Sequence, residues 1–186
     1  MMYTHLGKDK GQTMFYTLLK ILNKFVDNSK EPIYIFTDGS GKYKTASVVV
    51  VDRCSVKYLR YTKTDSNSAL AELAALQMAL LLSEMYIQLG RKVYIFSDNR
   101  GVVSAYNRAK QGIASGAPIH NKLVDFLKEE LYTVNLDVIK VNWCRSHDGL
   151  YGNEMADWLT RHESVDNCDR FDYFSDVRDF GEFIDE

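Results

Sequence analysis

Cysteine is scarce. The chain has three in 186 residues, Cys54, Cys144 and Cys168, with no C-x-x-C pair. An odd, widely spaced set excludes a disulfide scaffold. Proline is scarcer still, with two residues, and collagen-like composition is absent. There is no signal-peptide pattern and no N-x-S/T sequon, so the simplest expectation is reduced thiols in an intracellular protein, its compartment unspecified. No unbroken apolar run reaches ~18 residues, so no membrane partner is expected. Nor is there a dominant charge, because 23 basic and 25 acidic residues leave a net −2. At 46% hydrophobic and 26% charged, the composition excludes a mostly disordered chain. The length fits one domain of roughly 150 residues plus extensions.

What is present is unevenly placed. Residues 163–186 carry nine acids and two arginines, leaving 21 basic and 16 acidic residues elsewhere, a body of +5. A mildly basic body with an acidic tail is compatible with a polyanionic partner. Phe15, Leu18, Leu19, Leu22, Phe25 and Val26 have the spacing of an amphipathic helix over 14–27. Pro32 discourages helix before the next segment.

From there the pattern predicts an apolar strand at 33–36 and a β-hairpin from 46–51 and 56–61. A long helix follows over 69–89, capped by Ser66 or Ser68 and ended by Gly90. A second apolar strand at 93–96, helices at 101–110 and 118–132, a third central strand at 136–143 and a final helix at 153–162 complete the order βββαβααβα. This is an α/β fold: three strands in sequence, then helical crossovers.

The acids fall at informative places. Asp38 and Asp98 each follow a short apolar strand. If those strands are parallel neighbours, both carboxylates share the carboxyl edge of the sheet, where open α/β sheets build sites. Glu72 sits early in the longest helix, among apolar residues, and Asp157 lies on the last helix between Ala156 and Trp158. Each acid alone reads as a turn, cap or surface residue. Four converging acids without matching bases are costly unless hard cations neutralise them. Two such ions about 4 Å apart serve phosphodiester hydrolysis.

Four motifs carry a family resemblance: Thr37-Asp38-Gly39-Ser40; Ala71-Glu72-Leu73-Ala74-Ala75-Leu76; Ser97-Asp98-Asn99; and His147-Asp148-Gly149-Leu150-Tyr151-Gly152-Asn153-Glu154-Met155-Ala156-Asp157. Together, in this order, they resemble type 1 ribonuclease H, closest to forms lacking a basic protrusion. The resemblance implies a ribonuclease H-like mixed five-stranded sheet, three antiparallel strands then parallel ones, flanked by helices. It implies an endonuclease that hydrolyses the RNA strand of RNA/DNA hybrids with two Mg²⁺ ions, Mn²⁺ being a substitute, and leaves 5′-phosphate and 3′-hydroxyl. Asp38 would bridge the ions, Glu72 and Asp98 would complete the water-activating site, and Asp157 would hold the second ion. His147 would assist proton transfer or product release from its loop.

Hybrid recognition would use the minor groove, where 2′-hydroxyls mark the RNA strand. Gly39, Ser40, Asn67, Ser68, Asn99 and Arg100 are the substrate-binding candidates, with Arg108, Lys110 and Lys122 adding a thin basic face. The turn Gly39-Ser40-Gly41-Lys42-Tyr43-Lys44 is shorter and more basic than the Gly/Pro-rich loop of many members. Three regions follow: an N-terminal extension at 1–32, a catalytic domain at 33–163 and an acidic aromatic tail at 164–186. The tail, or Lys20, Lys24 and Lys30 of the first helix, is a candidate docking element for a protein partner. Two rival functions are an idle nucleic-acid-binding or scaffolding module and a DNA-cutting nuclease on the same fold.

Overall fold

The computed structural model describes residues 31–52, 55–113 and 115–163. The helix expected at 14–27 and the tail from 164 onward lie outside them, as do Cys54 and Cys168. All described residues belong to the unit Glu31–Glu186, one of two into which the chain divides, the other being Met1–Lys30.

A five-stranded sheet organises this unit. Its strands are β1 (Ile33–Ser40), β2 (Thr45–Asp52), β3 (Ser55–Thr62), β4 (Val93–Ser97) and β5 (Ile139–Trp143), in spatial order β3-β2-β1-β4-β5. The first three pair antiparallel, whereas β1–β4 and β4–β5 pair parallel. Among the described residues four α-helices flank it: α1 (Ser68–Gln88), α2 (Arg100–Lys110), α3 (Pro118–Glu130) and α4 (Tyr151–Arg161). This is the mixed sheet the motifs imply.

Several expected boundaries shift. Strand β1 does not stop at Phe36; it runs through Asp38 and Gly39 to Ser40, because Asp38 pairs with Ser47 and Ser40 with Thr45. The segment 136–143 opens as a 3-10 turn, Leu136–Val138, and only then becomes β5. That strand is an edge rather than a central strand, and its burial alternates accordingly. Asn67, not Ser66 or Ser68, caps α1, its Oδ1 accepting from Ala69 N at 2.9 Å and Leu70 N at 3.4 Å.

Alternation along β1 and β4 sorts side chains to two faces. On one face Phe36 stacks on Phe96 (5.2 Å) and Tyr34 on Tyr94 (5.7 Å), the pairs being directly opposite in the parallel register. That face packs Met155, Ala156 and Leu159 of α4. The other receives α1, which also meets α2 and α3. By length and composition alone α1 could cross a membrane, although Glu72, Gln77, Ser83 and Glu84 interrupt its apolar run. Its burial between sheet and helices accounts for that apolarity, since a helix covered on all sides has no polar face to keep.

Candidate active site

Parallel pairing of β1 with β4 sets the first two acids side by side. Thr37 is opposite Ser97, so Asp38, the next residue, lies beside Asp98 at the carboxyl ends. The third acid arrives from α1, brought in by a glycine. A Cβ on Gly39 would lie 2.2 Å from Glu72 N and 2.5 Å from Ala71 O, so only glycine lets the first turn of α1 rest on β1. Gly41 does the same against Ser66 O and Ser68 N. As a result one carboxylate oxygen from each of Asp38, Glu72 and Asp98 lies within 4.8 Å of the others.

The three acids are poorly compensated. Glu72 is 8% exposed, and its Oε2 is buried with no hydrogen-bond partner. Among the described residues, none of the three pairs with a lysine or arginine. Burial, then the charges of Asp98 and Asp157, pushes the Asp38 carboxyl up to about 7. Burial, then the charges of Asp38 and Asp98, pushes Glu72 up to about 9. The Gly39 amide opposes both shifts by donating to the carboxylates; Thr160 does so for Asp38 and the Asn99 side chain for Glu72. A buried carboxylate oxygen with no donor, among like charges, suits a hard cation.

Asp157 joins a different group. Helix α4 is seated closely because Gly152 faces the Phe36 ring, where a Cβ would come within 2.1 Å. Ser47 Oγ also donates to Ala156 O at 2.6 Å, one residue from Asp157. The Asp157 carboxylate clusters with Glu154 and His147 within 4.8 Å and forms an ion pair with Arg161 one turn on. Its charge nonetheless reaches Asp38. His147 has φ 54 in the loop before α4, and its Nδ1 lies 3.7 Å from Glu154 Oε2.

Glu154, inside the fourth motif, and Arg161 had no site role in the sequence reading. Their signal was helical spacing: Glu154 is three residues before Asp157 and Arg161 four after, so all three share one face. The helix α4 thiol neighbour, Cys144, is a free buried cysteine whose Sγ lies 3.4 Å from Asn153 Oδ1.

The substrate-binding candidates separate. Gly39 is the packing glycine. Ser40 Oγ accepts from Tyr43 N at 3.4 Å within the β1–β2 turn. Asn67 spends its Oδ1 on the α1 cap, while Ser68 is the exposed first residue of that helix. Asn99 caps α2 through Val102 N at 3.1 Å and also reaches Glu72. Arg100 is exposed, with its guanidinium 4.0 Å from the centre of the Trp143 ring. The two line an open groove of about 380 Å³ with Ser104, Asn107 and Arg108 of α2. Trp143 is fixed there by donating from Nε1 to Asp98 O at 3.0 Å. Lys110 is partly spent, lying 3.4 Å from Asp137.

The family model for RNase H matches residues 30–165. The chain belongs to the ribonuclease H family. It is thereby a nuclease of the hydrolase class, with the four resemblance motifs inside the matched span. No curated protein matches it in sequence. Among solved structures, LC11-RNase H1, isolated from compost by a metagenomic approach, is 18% identical, with TM-score 0.47 over 69% of this chain and 91% of its own. The same enzyme in complex with an RNA/DNA hybrid is 19% identical, with TM-score 0.41 over 61% and 85%. A foamy viral protease-reverse transcriptase in complex with double-stranded DNA is 12% identical, with TM-score 0.38 over 64% and 25%.

Proposed function

We propose that this ribonuclease H cleaves the RNA strand of RNA/DNA hybrids, leaving 5′-phosphate and 3′-hydroxyl ends. The observation that carries the proposal is the trio Asp38, Glu72 and Asp98, with its partnerless buried oxygen, in a member of this family. All the donors are carboxylate oxygens, which fit Mg²⁺ and accept Mn²⁺. Asp38, Glu72 and Asp98 would hold one ion, and Asp38 with Asp157 a second. Bound there, the ions supply the Lewis acidity that activates water and stabilises the leaving 3′ oxygen.

The protein's own groups do the rest. The Gly39 amide, the Thr160 hydroxyl and the Asn99 side chain favour the ionised carboxylates against burial and like charge, and orient them. Asp157, paired with Arg161, would hold a cation only in place of that partner. His147, exposed on its loop beside Glu154, carries a proton to or from the scissile region as product leaves. The exposed candidates Asn67, Ser68 and Arg100 would contact the duplex, and Asn99 would turn from cap to substrate. A hybrid substrate and a free buried thiol both fit an intracellular setting.

The test is cleavage of an end-labelled hybrid with Mg²⁺, beside single-stranded RNA, duplex RNA and duplex DNA. The expected result is RNA cleavage in the hybrid alone, lost by at least a hundredfold in Asp98→Asn. Hybrid binding by a folded protein with no cleavage in Mg²⁺ or Mn²⁺ would turn the reading toward a binding module.

A further inference from the structure

The β1–β2 turn and the segment after β3 bring three lysines together at the carboxyl edge. Lys42 and Lys44 lie in the turn just beyond Ser40, four and six residues after Asp38. Lys63 follows β3, whose last residue Thr62 pairs with Thr45. The two segments are bound together, since Lys44 O accepts from Lys63 N at 2.9 Å and from Thr64 N at 3.0 Å. All three lysines are exposed, and among the described residues none has an acidic partner. The nearest acid in sequence, Asp65, spends its Oδ1 on Asn67 N at 2.8 Å. Tyr43 stands among them, 45% exposed, with Lys42 Nζ 5.1 Å from its ring centre.

Backbone geometry adds an independent observation. Lys44 has φ 51 and Lys63 φ 87, both in the left-handed region that favours glycine. Among the described residues the other non-glycine residue in that region is His147, in the loop before α4. Strained non-glycine backbone concentrates where a side chain has work to do. Glycine would adopt both conformations more easily, so replacing these lysines by glycine removes the ammonium groups without straining the fold.

We propose that Lys42, Lys44 and Lys63, with Tyr43, form a phosphate-binding platform that grips the nucleic-acid backbone beyond the cleavage point. This rests on the nucleic-acid reading of the site and extends it. The platform lies on the β2–β3 side of the carboxylates, whereas Arg100 and Trp143 lie on the β5 side. A duplex crossing the carboxyl edge would therefore be held on both flanks. Ammonium groups on flexible stems neutralise phosphates without reading sequence, and Tyr43 offers a face to a sugar or terminal base.

The test compares the full chain with Lys42→Ala/Lys44→Gly/Lys63→Gly. Binding of a fluorescent hybrid, and of duplex DNA, is measured by anisotropy in chelator across a salt series. Each lysine that neutralises a phosphate contributes up to about 0.9 to the slope of log K against log salt. The triple variant should lose about 2–3 from that slope, with KM raised and kcat retained in Mg²⁺, and its melting temperature unchanged or higher. A structural role predicts the opposite pairing: lower melting temperature and an unchanged slope, which would overturn the platform. Neutral methylphosphonate links placed in the RNA or the DNA strand identify the gripped strand. That strand's neutralisation should make wild type bind like the variant; no effect from either strand would also overturn it. If wild type fails to cleave hybrid yet shows the slope difference, the nuclease reading fails while the platform stands.

Discussion

Asp38 and Glu72 hold protons that ordinary carboxyls release near pH 4, because burial and neighbouring acids penalise their charged forms. Between about pH 4 and the raised values of about 7 and about 9, the folded state binds more protons than the unfolded state. Stability in chelator therefore falls as pH rises through that window, since folded pKa values above the unfolded ones help only at low pH. Urea denaturation at pH 5 and pH 9 checks this: wild type should lose stability at the higher pH, and Asp38→Asn/Glu72→Gln should flatten the profile. A flat wild-type profile would remove the like-charge account of the trio. At this scale no acid was legible alone, since each suits a turn, a cap or a helix surface; what was legible was their joint placement at strand ends and in an apolar helix stretch. The caps were less legible. Asn67 and Asn99 carry the residue type that both helix capping and polar recognition favour, and sequence does not say which partner wins.

Elements meet through absences of side chain and one buried ion pair. Gly39→Ala would put a methyl into the backbone of α1, so the helix must move off β1 and take Glu72 with it. The expected outcome is a loss of hybrid cleavage of at least tenfold together with a lower melting temperature. Activity and stability near wild type would show that α1 can shift without disturbing Glu72.

At the far end of the same helix, Arg91 is 1% exposed and binds Asp52 bidentately at 2.7 and 3.0 Å, while its Nε reaches Glu31 O at 2.6 Å. That clamp ties the exit from α1 to the end of β2. Arg91→Met leaves the Asp52 carboxylate buried without its guanidinium, with Lys57 as the positive charge still near it, and should cost up to about 3–5 kcal/mol in denaturant titration. The double variant Arg91→Met/Asp52→Leu should recover much of it. Sequence patterning missed the pair because the partners are 39 residues apart and each looks like an ordinary turn charge. It also shortened β1, since the apolar run ends at Phe36 whereas backbone pairing continues to Ser40. The edge place of β5 was hidden similarly: strand order is set by crossovers, and periodicity reports a strand without its neighbours.

For the unit Glu31–Glu186, the element order was legible because β-branched runs, long apolar helices and glycine breaks alternate cleanly through the matched span. What periodicity could not show was that this order folds acids from β1, α1 and the β4 end into one trio while α4 turns Asp157 toward Arg161. Such a unit is incomplete without counter-charge. Carboxylates brought together by sheet register, glycine contact and helix packing repel one another in the folded state and separate in the unfolded one. A cation that binds only the folded arrangement must therefore stabilise the whole unit, by about 2.7 kcal/mol at a hundredfold excess over its Kd. Thermal unfolding with and without Mg²⁺ measures this directly. Wild type should melt higher with the ion, and the gain should grow from pH 6 to pH 9 as protons leave the site. Asp98→Asn should begin with a higher melting temperature in chelator, because one charge of the trio is gone, and should gain much less from the ion. Equal gains in both proteins would mean that the ion acts elsewhere on the surface and that the trio is not its site.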